Sequence, residues 1–159
     1  MRNIVIESIN KEEIKSIIDI KKSIHNEFIE NLPHIYKESD VLYTENFLSK
    51  FFKANTENRI FVAKSNNNVA GYAFVEIIRV NVPMMQKRKY IYIHDIAVGE
   101  QYRKNGVASK LLEYVEGYGK TIGADRVELA VHLFSKSAIS LYEKKGYTPR
   151  TLRMEKKID

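Results

Sequence analysis

The apolar positions fall into two regimes. Ile4–Ser8, opening on three β-branched residues, predicts a short opening strand. Asn10, with Glu13 three residues later, has the spacing of a capping box, and Ile14, Ile17, Ile18 and Ile24 then recur at helical intervals. A second helix is expected over Ser39–Lys53, after Pro33. Arg59–Lys64 and Val69–Val80 flank Asn66-Asn67-Asn68 and predict a hairpin, because asparagine tolerates the positive φ of a tight turn. Lys89–Val98 is a third strand of this group, beyond a loop containing Pro83. From there the pattern alternates: helix Gly106–Lys120, strand Arg126–Val131, helix Ser135–Lys145 and a final strand Tyr147–Met154. Lys89–Val98 and Arg126–Val131 are joined by a helix, which makes them a parallel pair. The expected fold is an α/β (α+β mixed) sheet in the order β-α-α-β-β-β-α-β-α-β, mostly antiparallel with one parallel pair.

Length and composition narrow the class. The 159 residues suit a single domain spanning 1–159, and the apolar fraction of 44% is that of a globular chain. Mean hydropathy is low and no run of 18 apolar residues occurs, so no membrane span or membrane partner is expected. The opening Met1-Arg2-Asn3-Ile4-Val5-Ile6-Glu7 lacks the apolar core and cleavage site of a secretory signal, which points to the cytoplasm. There is no cysteine, hence no disulfide, no thiolate nucleophile and no zinc-finger set. The four histidines lack metal-ligand spacing, so no metal is expected. The net charge of +6 favours an anionic partner, but the cations are dispersed, in small clusters at Lys87-Arg88-Lys89, Arg103-Lys104 and Lys144-Lys145. Nothing resembles a nucleic-acid reader motif, so no nucleic acid is expected.

The chemistry concentrates between Ile93 and Leu112. An apolar strand stops at Val98, a polar turn follows, and Gly106 and Ala108 begin a helix whose apolar face is Val107, Leu111, Leu112 and Val115. A helix start leaves backbone N–H groups unpaired and carries the positive end of the helix dipole, which suits a phosphate or pyrophosphate. Gly106 admits close approach to the backbone, and Arg103 and Lys104 add charge. The glycine spacing is neither that of a Rossmann fingerprint nor that of a P-loop.

At this point the chain resembles the GNAT family of N-acetyltransferases. Arg103-Lys104-Asn105-Gly106-Val107-Ala108, placed after Ile96-Ala97-Val98, is similar to that family's Arg/Gln-x-x-Gly-x-Gly/Ala signature. Downstream, Ser135 to Tyr147, with Ala138, Leu141, Tyr142 and Gly146 in register, resembles its Asn-x-x-Ala-x-x-Leu-Tyr-x-x-x-Gly-Phe motif. Arg153-Met154-Glu155-Lys156 resembles common family endings. The resemblance implies an enzyme that binds acetyl-CoA as cosubstrate between the two parallel strands. It places the pyrophosphate on Arg103, Lys104, Asn105, Gly106, Val107, Ala108 and Ser109, and the pantetheine arm along the main chain of Ile96, Ala97 and Val98. Ser135 stands where the family usually has asparagine. Tyr142 matches the family's tyrosine and is expected to protonate or hold the departing CoA thiolate. The resemblance also allows a homodimer.

The remaining candidates come from the strand Lys89–Val98. Strict alternation places Tyr92, His94 and Ile96 on one face and Ile93, Asp95 and Ala97 on the other. On that reading His94 faces the thioester and is the candidate general base, Tyr92 positions a water, and Asp95 is structural. Glu76 and Glu128 are expected to face solvent, with Glu76 the substitute base. His25, Glu27, Glu30, His34 and Tyr36 fall where family members close over the acceptor. The expected activity is acetyl transfer to a primary amine by direct attack in a ternary complex. The acceptor is a small-molecule amine or a protein or peptide amino group, and the alternative is a non-catalytic acyl-CoA-binding module.

Overall fold

The computed structural model describes residues 3–159; Met1 and Arg2 of the expected 1–159 domain lie outside the described residues. The chain runs β1 (Ile4–Ser8), α1 (Ile14–Asn31), α2 (Glu45–Phe52), β2 (Arg59–Ser65), β3 (Asn68–Val80), β4 (Arg88–Val98), α3 (Val107–Thr121), β5 (Arg126–Leu129) and α4 (Lys136–Lys144). The strands form one sheet in the order β1-β2-β3-β4-β5, antiparallel throughout except for the parallel pair β4–β5. The hairpin between β2 and β3 turns on Asn66 and Asn67 at φ of 50° and 64°.

Each face of the sheet is covered by helices. On one, Ala73, Val75, Ile91 and Ile93 pack against the Val107, Leu111, Leu112 and Val115 stripe of α3. On the other, Ile60, Val62, Tyr72 and Phe74 meet Ile17 and Ile20 of α1 and Phe51 of α2. This alternation along β2 and β3 is the period-2 pattern of a strand covered on both sides.

Three expectations need correction. Asn10 does form a capping box with Glu13, but around a single 3-10 turn, Lys11–Glu13, that leads into α1. The second helix begins at Glu45 rather than Ser39. Thr44 Oγ1 accepts from Phe47 N–H at 3.1 Å and caps it, while Ser39 Oγ is spent in a local turn with Val41. The final strand, Tyr147–Met154, does not form. Pro149 has no N–H to give a ladder, and β5 ends at Leu129. The segment is tied to the sheet by a side chain instead: Arg150 makes two hydrogen bonds to the Glu128 carboxylate of β5, at 2.6 and 3.1 Å. Leu152 and Met154, which gave the segment its strand-like pattern, are 76% and 88% exposed.

Candidate functional site

The site is built around an irregularity in β4. Phe74 of β3 pairs with Asp95, but Val75 pairs with Ile93, so His94 is an extra residue opposite the β3 backbone. This bulge reverses the alternation. Ile91 and Ile93 face α3, and so do Ile96 and Val98 beyond the bulge. Ala97 faces α1 and α2. His94 and Asp95 both emerge on the α1–α2 side, His94 against Phe47 and Phe51 of α2 and Asp95 against Lys21 of α1. The expected opposition of His94 and Asp95, and the shared face of His94 and Ile96, are therefore overturned.

The same bulge ends the parallel pairing. β5 meets β4 only from Tyr90↔Arg126 to Ile93↔Leu129. Asp95–Val98 is thus an edge without a strand partner on the β5 side among the described residues. Such an edge offers backbone donors and acceptors to an extended ligand.

At the end of that edge the chain turns through Glu100–Tyr102 into α3. Lys104 and Gly106 both have positive φ, 61° and 75°. The first i→i−4 bond of α3 runs from Lys110 N–H to Gly106 C=O, so the amides of Val107, Ala108 and Ser109 stand ahead of it. A Cβ built on Gly106 meets nothing within 4 Å. The space above the loop is open, and the residues present fit a bound pyrophosphate. Arg103 folds back toward Val98 C=O at 3.5 Å, and Asn105 Nδ2 donates to Arg103 C=O at 3.1 Å, holding the turn closed on itself.

Around the bulge lies a polar cluster that the sequence did not signal as a unit. His94 Nε2 is hydrogen-bonded to the Glu76 carboxylate, with Lys50 Nζ 3.7 Å from the same Glu76 oxygen. The Glu76 side chain is only 19% exposed, so it is not the solvent-facing residue expected. Glu128 is likewise enclosed, by Arg88 and Arg150. Asp95 Oδ2 accepts from the Tyr43 and Tyr72 hydroxyls and pairs with Lys21 Nζ at 3.0 Å. Burial raises both tyrosines above their usual range, and the adjacent Asp95 charge adds to it, so both stay protonated donors.

Tyr142, on α4, packs beside Tyr147 and against the α3-side core. Burial pushes its phenol up to about 12, with a smaller contribution from the charge of Asp95. Ser135 precedes the first turn of α4 and its carbonyl accepts from Ile139 N–H at 3.0 Å. Of the residues expected near the acceptor, Tyr36 hydrogen-bonds His132 Nε2 at 2.8 Å, and the two rings join Phe28 and Phe134 in an aromatic cluster. His25 bonds Lys37 C=O and meets the Tyr36 ring edge-on at 6.1 Å between centroids, and His34 bonds Glu155. His132 and Phe134 were missed because nothing in the sequence around them marks a site. A cavity of about 470 Å³ lies between α1 and the following loop, lined by residues including Lys22, His25, Glu38 and Asp40.

Comparison with known proteins fits this geometry. The acetyltransferase (GNAT) family model matches residues 21–147. The chain belongs to the GNAT acetyltransferase family, and it is an acyltransferase. An N-alpha-acetyltransferase of Sulfurisphaera tokodaii is 29% identical, over 78% of each chain. The tetramutant of the BH1408 protein of Bacillus halodurans has the same fold, at a TM-score of 0.89 and 20% identity, over 97% of this chain and 99% of that one. The aminoglycoside acetyltransferase AAC(6')-Iy, solved with a CoA-containing bisubstrate analogue, aligns with a TM-score of 0.71 at 16% identity, over 98% of this chain and 99% of that one. Among the described residues no helix is long and apolar enough to cross a membrane, and no group of acidic or histidine side chains is arranged to hold a metal.

Proposed function

We propose that this GNAT chain transfers an acetyl group from acetyl-CoA to a primary amine, by direct attack within a ternary complex. The observation that carries the reading is the junction of an open β4 edge with a positive-φ loop at the start of α3. The loop amides from Lys104 to Ser109 hold the pyrophosphate, with Arg103 and Lys104 adding charge. Ile96, Ala97 and Val98 present their main chain to the pantetheine arm as a neighbouring strand would. Tyr142 of α4 packs in the same cluster as Ile96 and Val98, and Ser135 precedes that helix. When bound, acetyl-CoA supplies an acyl thioester, whose thiol has a pKa of about 8.5 and departs with modest help.

Two groups handle the protons. Tyr142, whose phenol burial pushes up to about 12, is protonated at neutral pH and donates toward the departing sulfur. His94 is exposed at the bulge and backed by Glu76, and it takes the proton of the acceptor. That step matters most for an alkylamine, which at a pKa of about 10.4 is only about 0.04% neutral at pH 7, and less for an α-amino group, which at a pKa of about 8 is roughly 10% neutral. No cysteine exists to carry the acetyl group, which supports direct attack.

The likeness to the N-alpha-acetyltransferase of Sulfurisphaera favours a protein α-amino group as acceptor, over a small amine. The reading is tested by isothermal titration. Acetyl-CoA should bind with a 1:1 stoichiometry, and a thiol reagent should then report CoA release on adding amines or peptides of varied N-termini. Absence of acetyl-CoA binding refutes it.

A further inference from the structure

Lys21 points from α1 into the site rather than into solvent. Its Nζ lies 3.0 Å from Asp95 Oδ2 and 5.1 Å from the centroid of the Phe28 ring, and its side chain is only 17% exposed. Lys15 and Lys22, on the same helix, are exposed. A carboxylate beside an aromatic face is a seat for an alkylammonium ion. The bulge at His94 creates that seat by turning Asp95 toward α1. Tyr43 and Tyr72 hold the carboxylate in place from the other side.

We propose that Lys21 is an internal acceptor, a self-acetylation site of this enzyme. The inference rests on the function proposed above, which runs the pantetheine arm from the loop at residues 103–109 back along Val98 and Ile96. On that course the acyl end stops beside Asp95, the residue that begins the open edge. The amine nearest to Asp95 is that of Lys21. The Lys21 ammonium passes a proton to Asp95, with which it is already paired, and on to solvent. The neutral nitrogen then forms a bond to the acyl carbon as the carbon–sulfur bond breaks, and the second proton it sheds in becoming an amide goes through solvent to the thiolate, which leaves as free CoA. The sum is one acetyl-lysine, one CoA thiol and one proton released. Acetylation removes the cation from Asp95 and leaves an uncharged amide against Phe28, so the seat changes its electrostatics permanently unless the group is removed.

The test is to incubate the full chain with acetyl-CoA and no amine, then digest it and map acetylation by mass spectrometry over time. The expected result is a gain of one acetyl group at Lys21 that outpaces Lys15 and Lys22, although those are the more exposed. The gain should be lost in Lys21→Arg, which keeps the ion pair, and also in Gly106→Val. Labelling that follows exposure, or a Lys21 label that persists in Gly106→Val, is chemical acetylation and overturns the proposal. CoA release to added amines without any label at Lys21 overturns the proposal alone. Failure to bind acetyl-CoA overturns the proposal and the function beneath it together.

Discussion

His94 and Asp95 are consecutive in a strand, yet their side chains reach the same side of the sheet. His94 meets Glu76 and the rings of α2, and Asp95 meets Lys21 of α1. The β-bulge that causes this also marks where β4 and β5 part. One extra residue therefore gathers two ionisable groups on the α1–α2 side of the sheet and leaves the β4 edge unpaired by β5 beyond Ile93.

The proton acceptor is tested through the His94–Glu76 pair. His94→Ala should lower kcat by roughly 10²- to 10⁴-fold at neutral pH, the range of a lost general base. The deficit should shrink as pH rises, because the amine then deprotonates unaided. Glu76→Gln should show a smaller loss, since it removes the partner of the imidazole and not the imidazole itself. A wild-type pH–rate profile for His94→Ala on a verified acceptor would exclude His94.

Tyr142→Phe keeps the ring packing against the α3-side core and removes the donor. Turnover should fall while the Kd for acetyl-CoA changes little. Because burial has raised the phenol to about 12, the Tyr142 contribution should persist up to at least about pH 10. Loss of that contribution near pH 8 would show that the proton comes from elsewhere.

The loop is tested with a paired control. Gly106→Val introduces a side chain at φ 75° into the space assigned to the pyrophosphate, and should abolish the rise in Tm caused by acetyl-CoA. Gly123→Val places the same strain at φ 69°, also in open space, at the far end of α3, about 22 Å away along a 15-residue helix. Each substitution should destabilise the free protein by about 1–3 kcal/mol. Only the Gly123 variant should keep the ligand-induced shift, as differential scanning fluorimetry would show.

Much of this was legible in the sequence. Alternation in β2 and β3 and the apolar stripe of α3 follow from burial on known periods, and the loop before α3 follows from Gly106. The face of Asp95 was not legible. No glycine or proline marks the bulge, and the signal available was two consecutive polar residues, His94 and Asp95, inside an apolar run. The absent last strand was also misread, because Leu152 and Met154 alternate as strand residues do but find no surface to cover. Long-range partners such as Tyr36 with His132, or Lys21 with Asp95, depend on how α1 and its following loop cross the sheet. Local spacing carries no information about that crossing.

Glu128 links β4, β5 and the C-terminal segment, and gives a stability prediction. Burial alone would raise its pKa, but hydrogen bonds from Arg88 and Arg150 outweigh this and hold it below its ordinary 4.5. A carboxylate depressed in the folded state stabilises the fold above its unfolded pKa, and that contribution fades as pH falls through the folded value. Glu128→Gln should therefore lower Tm at pH 7 and leave it nearly unchanged at about pH 2. An equal loss at both pH values would assign the effect to packing.

The proposed reaction is acetyl transfer from acetyl-CoA to an amine within a ternary complex. Initial velocities of CoA release, taken over a grid of acetyl-CoA and acceptor concentrations with the product identified by mass spectrometry, test it most directly. Intersecting double-reciprocal lines and one acetylated amine for each CoA released are the expected result. Parallel lines, or acetyl-CoA binding with no transfer to any amine or peptide, would contradict it.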